Sequence, residues 1–177
     1  MVRSSTKRER RGVAALELAV VCLFFIFPIL FGVWEVGRLV QVQQIVSNSA
    51  RDGARLAAQG YTVNLTGSPT QIMASSGAIN VRSAVHQYLI GAGLTNLAYS
   101  DVTVTFTFTS PTSTGTYPAD PYLGEKGQQF TVYVSIPWDK VRWVNFGLVK
   151  PTTVTFTVTW QMLVDDKFTV NEVLPVW

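Results

Sequence analysis

The sequence predicts an α+β chain with a long N-terminal helix, a second helix and a three-stranded antiparallel sheet, and three observations carry that expectation. From Val13 to Trp34 runs an apolar stretch of 22 residues in which Glu17 is the only charge. From Glu35 to Gln59 apolar and small residues recur at intervals of three and four with no proline, the spacing of one helical face. Beyond residue 100, three segments alternate apolar and polar residues, the period of strands buried on one side and wet on the other.

Residues 1–12 carry Arg3, Lys7, Arg8, Arg10 and Arg11 against Glu9, a balance of +4 in a chain whose total is +3, so the rest sums to −1. A surplus confined to one end does not point to nucleic acid. Placed before an apolar helix, it holds the N terminus in the cytoplasm and sends the C terminus outward. At about 1.5 Å rise per residue, Val13–Trp34 spans the roughly 30 Å hydrocarbon core of a bilayer. The run exceeds the roughly 7 to 15 apolar residues of a secretory signal, and the small residues precede it rather than follow it. Cys22, the only cysteine, lies inside this run. It excludes an intrachain disulfide and reads as a small membrane hydrophobe. Pro28 removes one backbone hydrogen bond and is expected to kink or open the helix locally.

An ionised group near a helix centre in the bilayer costs on the order of 2.5 to 3.5 kcal/mol, less toward the ends. Glu17 sits about one turn inside the membrane. It either snorkels to the headgroups or meets a cation supplied from elsewhere. Further along, Glu35 and Arg38, three apart, read as a surface ion pair at the outer boundary, worth tenths of a kcal/mol. Ala50, Gly53, Ala54 and Ala57, with Ala58, place small residues where another backbone can approach closely. The partner is either another subunit's helix or this chain's own sheet. Arg51 and Arg55 flank that row as a like-charged pair relieved by Asp52, and Gly60 is the expected C-terminal stop.

The segment RERRGVAALE resembles the processing site of type IV prepilins and pseudopilins: a basic leader, a glycine, and a glutamate five residues later. Together with FGVWEVGR (Phe31 to Arg38) and NSARDGARLAA (Asn48 to Ala58), it resembles TadE-like minor pilins of tight adherence (Tad/Flp, type IVc) pili over about the first third of the chain. Glu9 interrupts the otherwise basic leader. The resemblance implies a pilin-like fold divided into a leader (1–12), a transmembrane helix (13–34), its continuation (35–59) and an extracytoplasmic α+β domain (60–177). It implies processing by a prepilin peptidase between Gly12 and Val13, with Arg8, Arg10 and Arg11 in the basic leader. Glu17 would then pair, within the membrane, with the new α-amino group of a neighbouring subunit, which is cationic below a pKa of about 7.7 to 8.0. The implied partners are the peptidase, an assembly platform in the bacterial inner membrane, major and minor pilins, and further copies of this chain. The resemblance implies no cofactor, nucleic acid or small-molecule substrate.

Residues 60–69 read as a turn-rich link. Pro69 fits a helix start, and Ile72, Met73, Ile79, Val85, Leu89 and Ile90 suggest a helix from about 70 to 91, weakened at Gly77. His86, without a second histidine in the chain, reads as a packed or surface residue. The strands follow, with apolar faces Val102, Val104, Phe106 and Phe108; Phe130, Val132, Val134 and Ile136; and Val154, Phe156, Val158 and Trp160. The threonines opposite form a hydroxyl-rich face that suits a polysaccharide or protein partner, although threonine is also simply a good strand former. The long loop from Ser110 to Gly127 contains Asp120 and Glu125 without the ordered spacing of a calcium loop. Trp138, Trp143 and Phe146 offer anchors for a neighbour or a membrane surface, with domain packing as the simpler use.

The residues present no catalytic constellation. Asp165 and Asp166 are adjacent rather than set across a cleft, and no phosphate-cradling or metal-ligand spacing occurs. An enzyme is therefore not expected. Two further readings stand beside the pilin subunit: a permanently anchored extracytoplasmic binding or adhesin protein, and a type II secretion pseudopilin.

Overall fold

The computed structural model describes the backbone of residues 6–63, 67–143 and 151–163, with side chains from residue 12 onward. Helix α1 (Thr6–Val21) passes through a π-helical turn, Cys22–Ile26, into α2 (Phe27–Gln59). The π turn lies immediately before Pro28, whose ring would clash with the carbonyl four residues back and whose nitrogen has no proton to donate. Widening the preceding turn lets the Phe27 N–H reach the Cys22 carbonyl instead, the usual use of a π bulge. Local opening near Pro28 thus takes the form of one wide turn. Gly60, with φ 67°, ends α2 in the left-handed region that favours glycine.

By contact the chain divides into two units: residues 1–41 with 142–151, and residues 42–141 with 152–177. In the first, the apolar helix is bare. Leu16, Phe24 and Val33 are each about two-thirds exposed, and none of the most apolar window is buried within the chain.

The second unit holds the core. On α2 the buried row is Val42, Val46, Ala50, Ala54, Ala57 and Ala58, one face at helical spacing. After Gly60 comes a small hairpin absent from the sequence reading, β1 (Tyr61–Val63) paired antiparallel with β2 (Pro69–Gln71). Pro69 therefore opens a strand rather than a helix. It lies at the end of an edge strand, where its missing N–H is tolerated.

The second helix, α3 (Val81–Gly91), is also shorter than the expected span from about 70 to 91. Gly77 adopts φ +83°, incompatible with helix. Asn80 then starts α3 by accepting the Ser83 N–H at 2.7 Å, a strong N-cap. Buried Val81, Val85 and Leu89 give α3 its inner face.

The large sheet has the order β3 (Thr103–Phe108), β4 (Gln129–Pro137), β5 (Thr153–Gln161), antiparallel throughout. Register pairs Phe106 with Val132 and Val132 with Val158, so apolar residues share one face. A short helix, α4 (Trp138–Val141), follows β4 and buries Trp138 in the core. Apolar cover is uneven. Phe130, Val132, Val134 and Ile136 of the central strand are fully buried, whereas Phe156, Val158 and Trp160 of β5 are only half-buried.

Candidate functional site

The predicted processing segment lies in α1. Gly12 is helical and exposed, and a Cβ built there would meet nothing within 4 Å. The helix runs through Gly12 without interruption, from Thr6 to Val21. Arg8, Arg10 and Arg11 belong to the same helix. A protease acting after Gly12 would have to draw this turn out of its hydrogen bonds, and a residue without Cβ is the least hindered place to do so.

Val13 and Glu17 are exposed on the same helix, and among the described residues nothing bonds to Glu17. Four residues at about 1.5 Å set Glu17 roughly 6 Å along the axis from Val13. The apolar side chains around it, Leu16, Leu18 and Val20, are exposed too. This is a carboxyl group on an exposed apolar surface, and in a low-dielectric setting such a group draws a cation or hydrogen-bond donor to itself.

The outer end of the apolar helix departs from the sequence reading. Glu35 and Arg38 are not at the surface: they are 6% and 9% exposed. Among the described residues neither Glu35 carboxylate oxygen has a hydrogen-bond partner. Arg38 donates to Gln41 Oε1 at 3.0 Å, and its guanidinium lies 4.4 Å from the Trp143 ring centre. Trp143 in turn meets Trp34 edge-on with centroids 6.5 Å apart. Arginine stacks readily on an indole face, so Arg38 of the expected exposed pair belongs instead to a cluster with Trp143 and Trp34. Trp143 remains 63% exposed, in keeping with an interfacial anchor. Phe146 lies outside the described residues, as do Asp165 and Asp166.

The small-residue row is resolved in favour of this chain's own packing. Ala50, Gly53, Ala54 and Ala57 are buried, and Gly53 faces α3. A Cβ at Gly53 would come within 2.6 Å of Val85 Cγ2 and 3.2 Å of Val81 Cγ1. The neighbour that Gly53 meets is thus a helix of this chain, which the sequence reading did not include. Arg51, Asp52 and Arg55 are exposed beside this row, with Arg51 5.8 Å from the Phe156 ring centre.

The remaining polar candidates are structural. His86 Nε2 lies 3.1 Å from the Leu97 carbonyl, and its ring packs edge-on against Tyr99. Asp120 accepts the Ala74 N–H at 3.0 Å. Glu125 accepts the Ser113 N–H at 2.6 Å and its hydroxyl at 2.7 Å. These two bonds hold the Glu125 carboxyl below the ordinary glutamate range. Asp120 thus fastens the long loop to the segment before α3 and Glu125 ties the loop to itself, and among the described residues no group of three or more His, Cys, Asp or Glu side chains could hold a metal ion.

Compared with known families, residues 12–55 are similar to the TadE-like protein family. The matched stretch contains Gly12, Val13, Glu17, Glu35, Arg38, Ala50, Gly53 and Ala54, and stops short of the sheet domain. Comparison with curated proteins returns no match. Comparison with solved structures returns none either.

Proposed function

From an N-terminal segment that is TadE-like, we propose that this chain is a minor pilin subunit that builds or primes a tight adherence type IV pilus. The observation that supports it most is the bare apolar helix of residues 13–34 carrying one acid, Glu17, for which the described residues supply no partner. In the bilayer, lipid covers the apolar side chains and the basic leader stays cytoplasmic. Cleavage after Gly12 removes the leader and frees the Val13 amino group. The ammonium of one subunit then meets Glu17 of the next, and helix packing replaces lipid as subunits leave the membrane. The domain from residue 60 onward faces outward. The chain's role is structural, and the work of extraction belongs to an assembly ATPase elsewhere.

Mass spectrometry of the chain recovered from membranes tests this directly. The mature protein is expected to start at Val13, and Gly12→Val is expected to leave the leader attached. A native chain retaining residues 1–12 would point instead to a permanently anchored binding protein.

A further inference from the structure

Between Glu17 and Arg51 the only charged residues are Glu35 and Arg38, and both are buried. The exposed side of the helix therefore carries no charge over that stretch. Its apolar surface does not end at Trp34: Val33, Val36 and Val40 continue it, each about half exposed or more. At 3.6 residues per turn they lie across the helix from Glu35, Arg38 and Val42. Polar side chains take over at Gln41, Gln43 and Gln44, all exposed. From Val13 to Val40 the apolar surface measures about 40 Å at about 1.5 Å per residue. That is longer than the roughly 30 Å hydrocarbon core and close to the roughly 40–45 Å of a bilayer with its headgroups.

A residue distant in sequence joins this surface. Trp143 meets Trp34 edge-on with centroids 6.5 Å apart, and the Arg38 guanidinium lies 4.4 Å from the Trp143 ring centre. Both indoles are more than half exposed, and all of these residues belong to the first unit. Two neighbouring indoles in water would leave a large apolar area wet at the same level of the helix. A headgroup layer suits them, because each ring has an apolar body and one N–H that takes a polar partner. Burying Glu35 and Arg38 keeps both charges off the side that meets lipid, where a charge is costly.

We propose that the lipid-contacting surface of this chain runs past Trp34 to Val40 and takes in Trp143, with Trp34 and Trp143 forming an aromatic anchor in the headgroup layer. This surface depends on residues 13–34 spanning the membrane, as proposed above, and not on leader cleavage or on Glu17. Its occupant is lipid rather than a second copy of the chain, because Val33, Val36 and Val40 continue the apolar span without a break and the indoles sit where hydrocarbon gives way to water. Leaving the membrane then requires Trp143 to part from the headgroups as well as the helix from the hydrocarbon.

Spin labelling of the full chain reconstituted in phosphatidylcholine vesicles tests this. In a Cys22→Ser background, labels are placed singly by Leu23→Cys, Val36→Cys, Val40→Cys and Asn48→Cys, all at exposed positions. Each label is read for its collision with oxygen, which concentrates in hydrocarbon, relative to a polar nickel chelate, which stays in water. The ratio should fall from Leu23 through Val36 to Val40 and still exceed that at Asn48 by about threefold at Val36 and about twofold at Val40. For Trp143, the emission lost in Trp143→Phe should be quenched by lipids brominated near the headgroup end of the acyl chain and spared by aqueous iodide. A Val40 ratio equal to that of Asn48, with Leu23 dry, overturns this proposal alone, because lipid contact then ends at Trp34. Labels at Val36 and Val40 shielded from both reagents also overturn it, because a second copy then covers the row. So does iodide quenching of the Trp143 emission without bromolipid quenching. A Leu23 label open to the nickel chelate overturns the membrane span and this surface together.

Discussion

At the scale of single residues, two carboxylates show how environment assigns a role. Glu17 and Glu125 are the same chemical group, but Glu125 accepts two bonds from Ser113 while Glu17 stands among exposed leucines and valines. Replacing Glu17 by Gln should leave the chain inserted in the membrane and reduce pilus formation at least tenfold, scored by counting fibres in electron micrographs. Wild-type fibre numbers in that variant would remove the proposed pairing. Glu125 offers a solution test. Its folded pKa lies below the unfolded value of about 4.3, so its contribution is present above that value and is lost as pH falls through the folded pKa. Ser113→Ala should raise the Glu125 titration midpoint in NMR and weaken the loss of stability as pH falls below the unfolded value. Such effects follow from Ser113 bonding to the charged form, a contact across twelve residues that no local motif announces.

At the scale of elements, the helices and strands with unbroken periodicity were legible and the irregular segments were not. The end of α2 at Gln59 and the three strands of the large sheet follow from spacing and from Gly60. The segment before α3 was misread because Ile72, Met73 and Ile79 fit a helical spacing by chance. The left-handed Gly77 and the Asn80 cap override it. Ile72 is buried through the β1–β2 hairpin, where its N–H bonds to the Gly60 carbonyl. The close approach of α2 to α3 yields a clear prediction. Gly53→Leu adds a side chain where even a Cβ would crowd Val85 and Val81. Overpacking at about 1 to 3 kcal/mol outweighs the gain of about 1 kcal/mol or less in helix propensity. The expected result is a melting temperature lower by several degrees in thermal denaturation followed by circular dichroism, with Gly37→Leu, where a Cβ would meet nothing within 4 Å, as the tolerated control.

At the scale of the molecule, an apolar helix left bare and a folded domain with its own core imply a protein held in a bilayer by one segment. Washing membranes with alkaline carbonate should leave the chain in the pellet, because the apolar run of 22 residues is released by detergent and not by pH or salt. Protease added to spheroplasts should degrade the sheet domain, whereas protease confined to the cytoplasmic side should reach only the basic leader of chains not yet cleaved.

The linear order of residues was enough to predict the long apolar helix, its basic flank, the lone acid inside it, and the alternating strands. Each rests on local periodicity or on transfer of side chains between water and lipid, and neither requires knowledge of neighbours in space. Tertiary structure alone decided three matters: that Gly53 packs on α3, that Glu35 and Arg38 are buried, and that β4 lies between β3 and β5. All three depend on which surfaces meet, and a pattern along one element records only that a face will be covered, never by what.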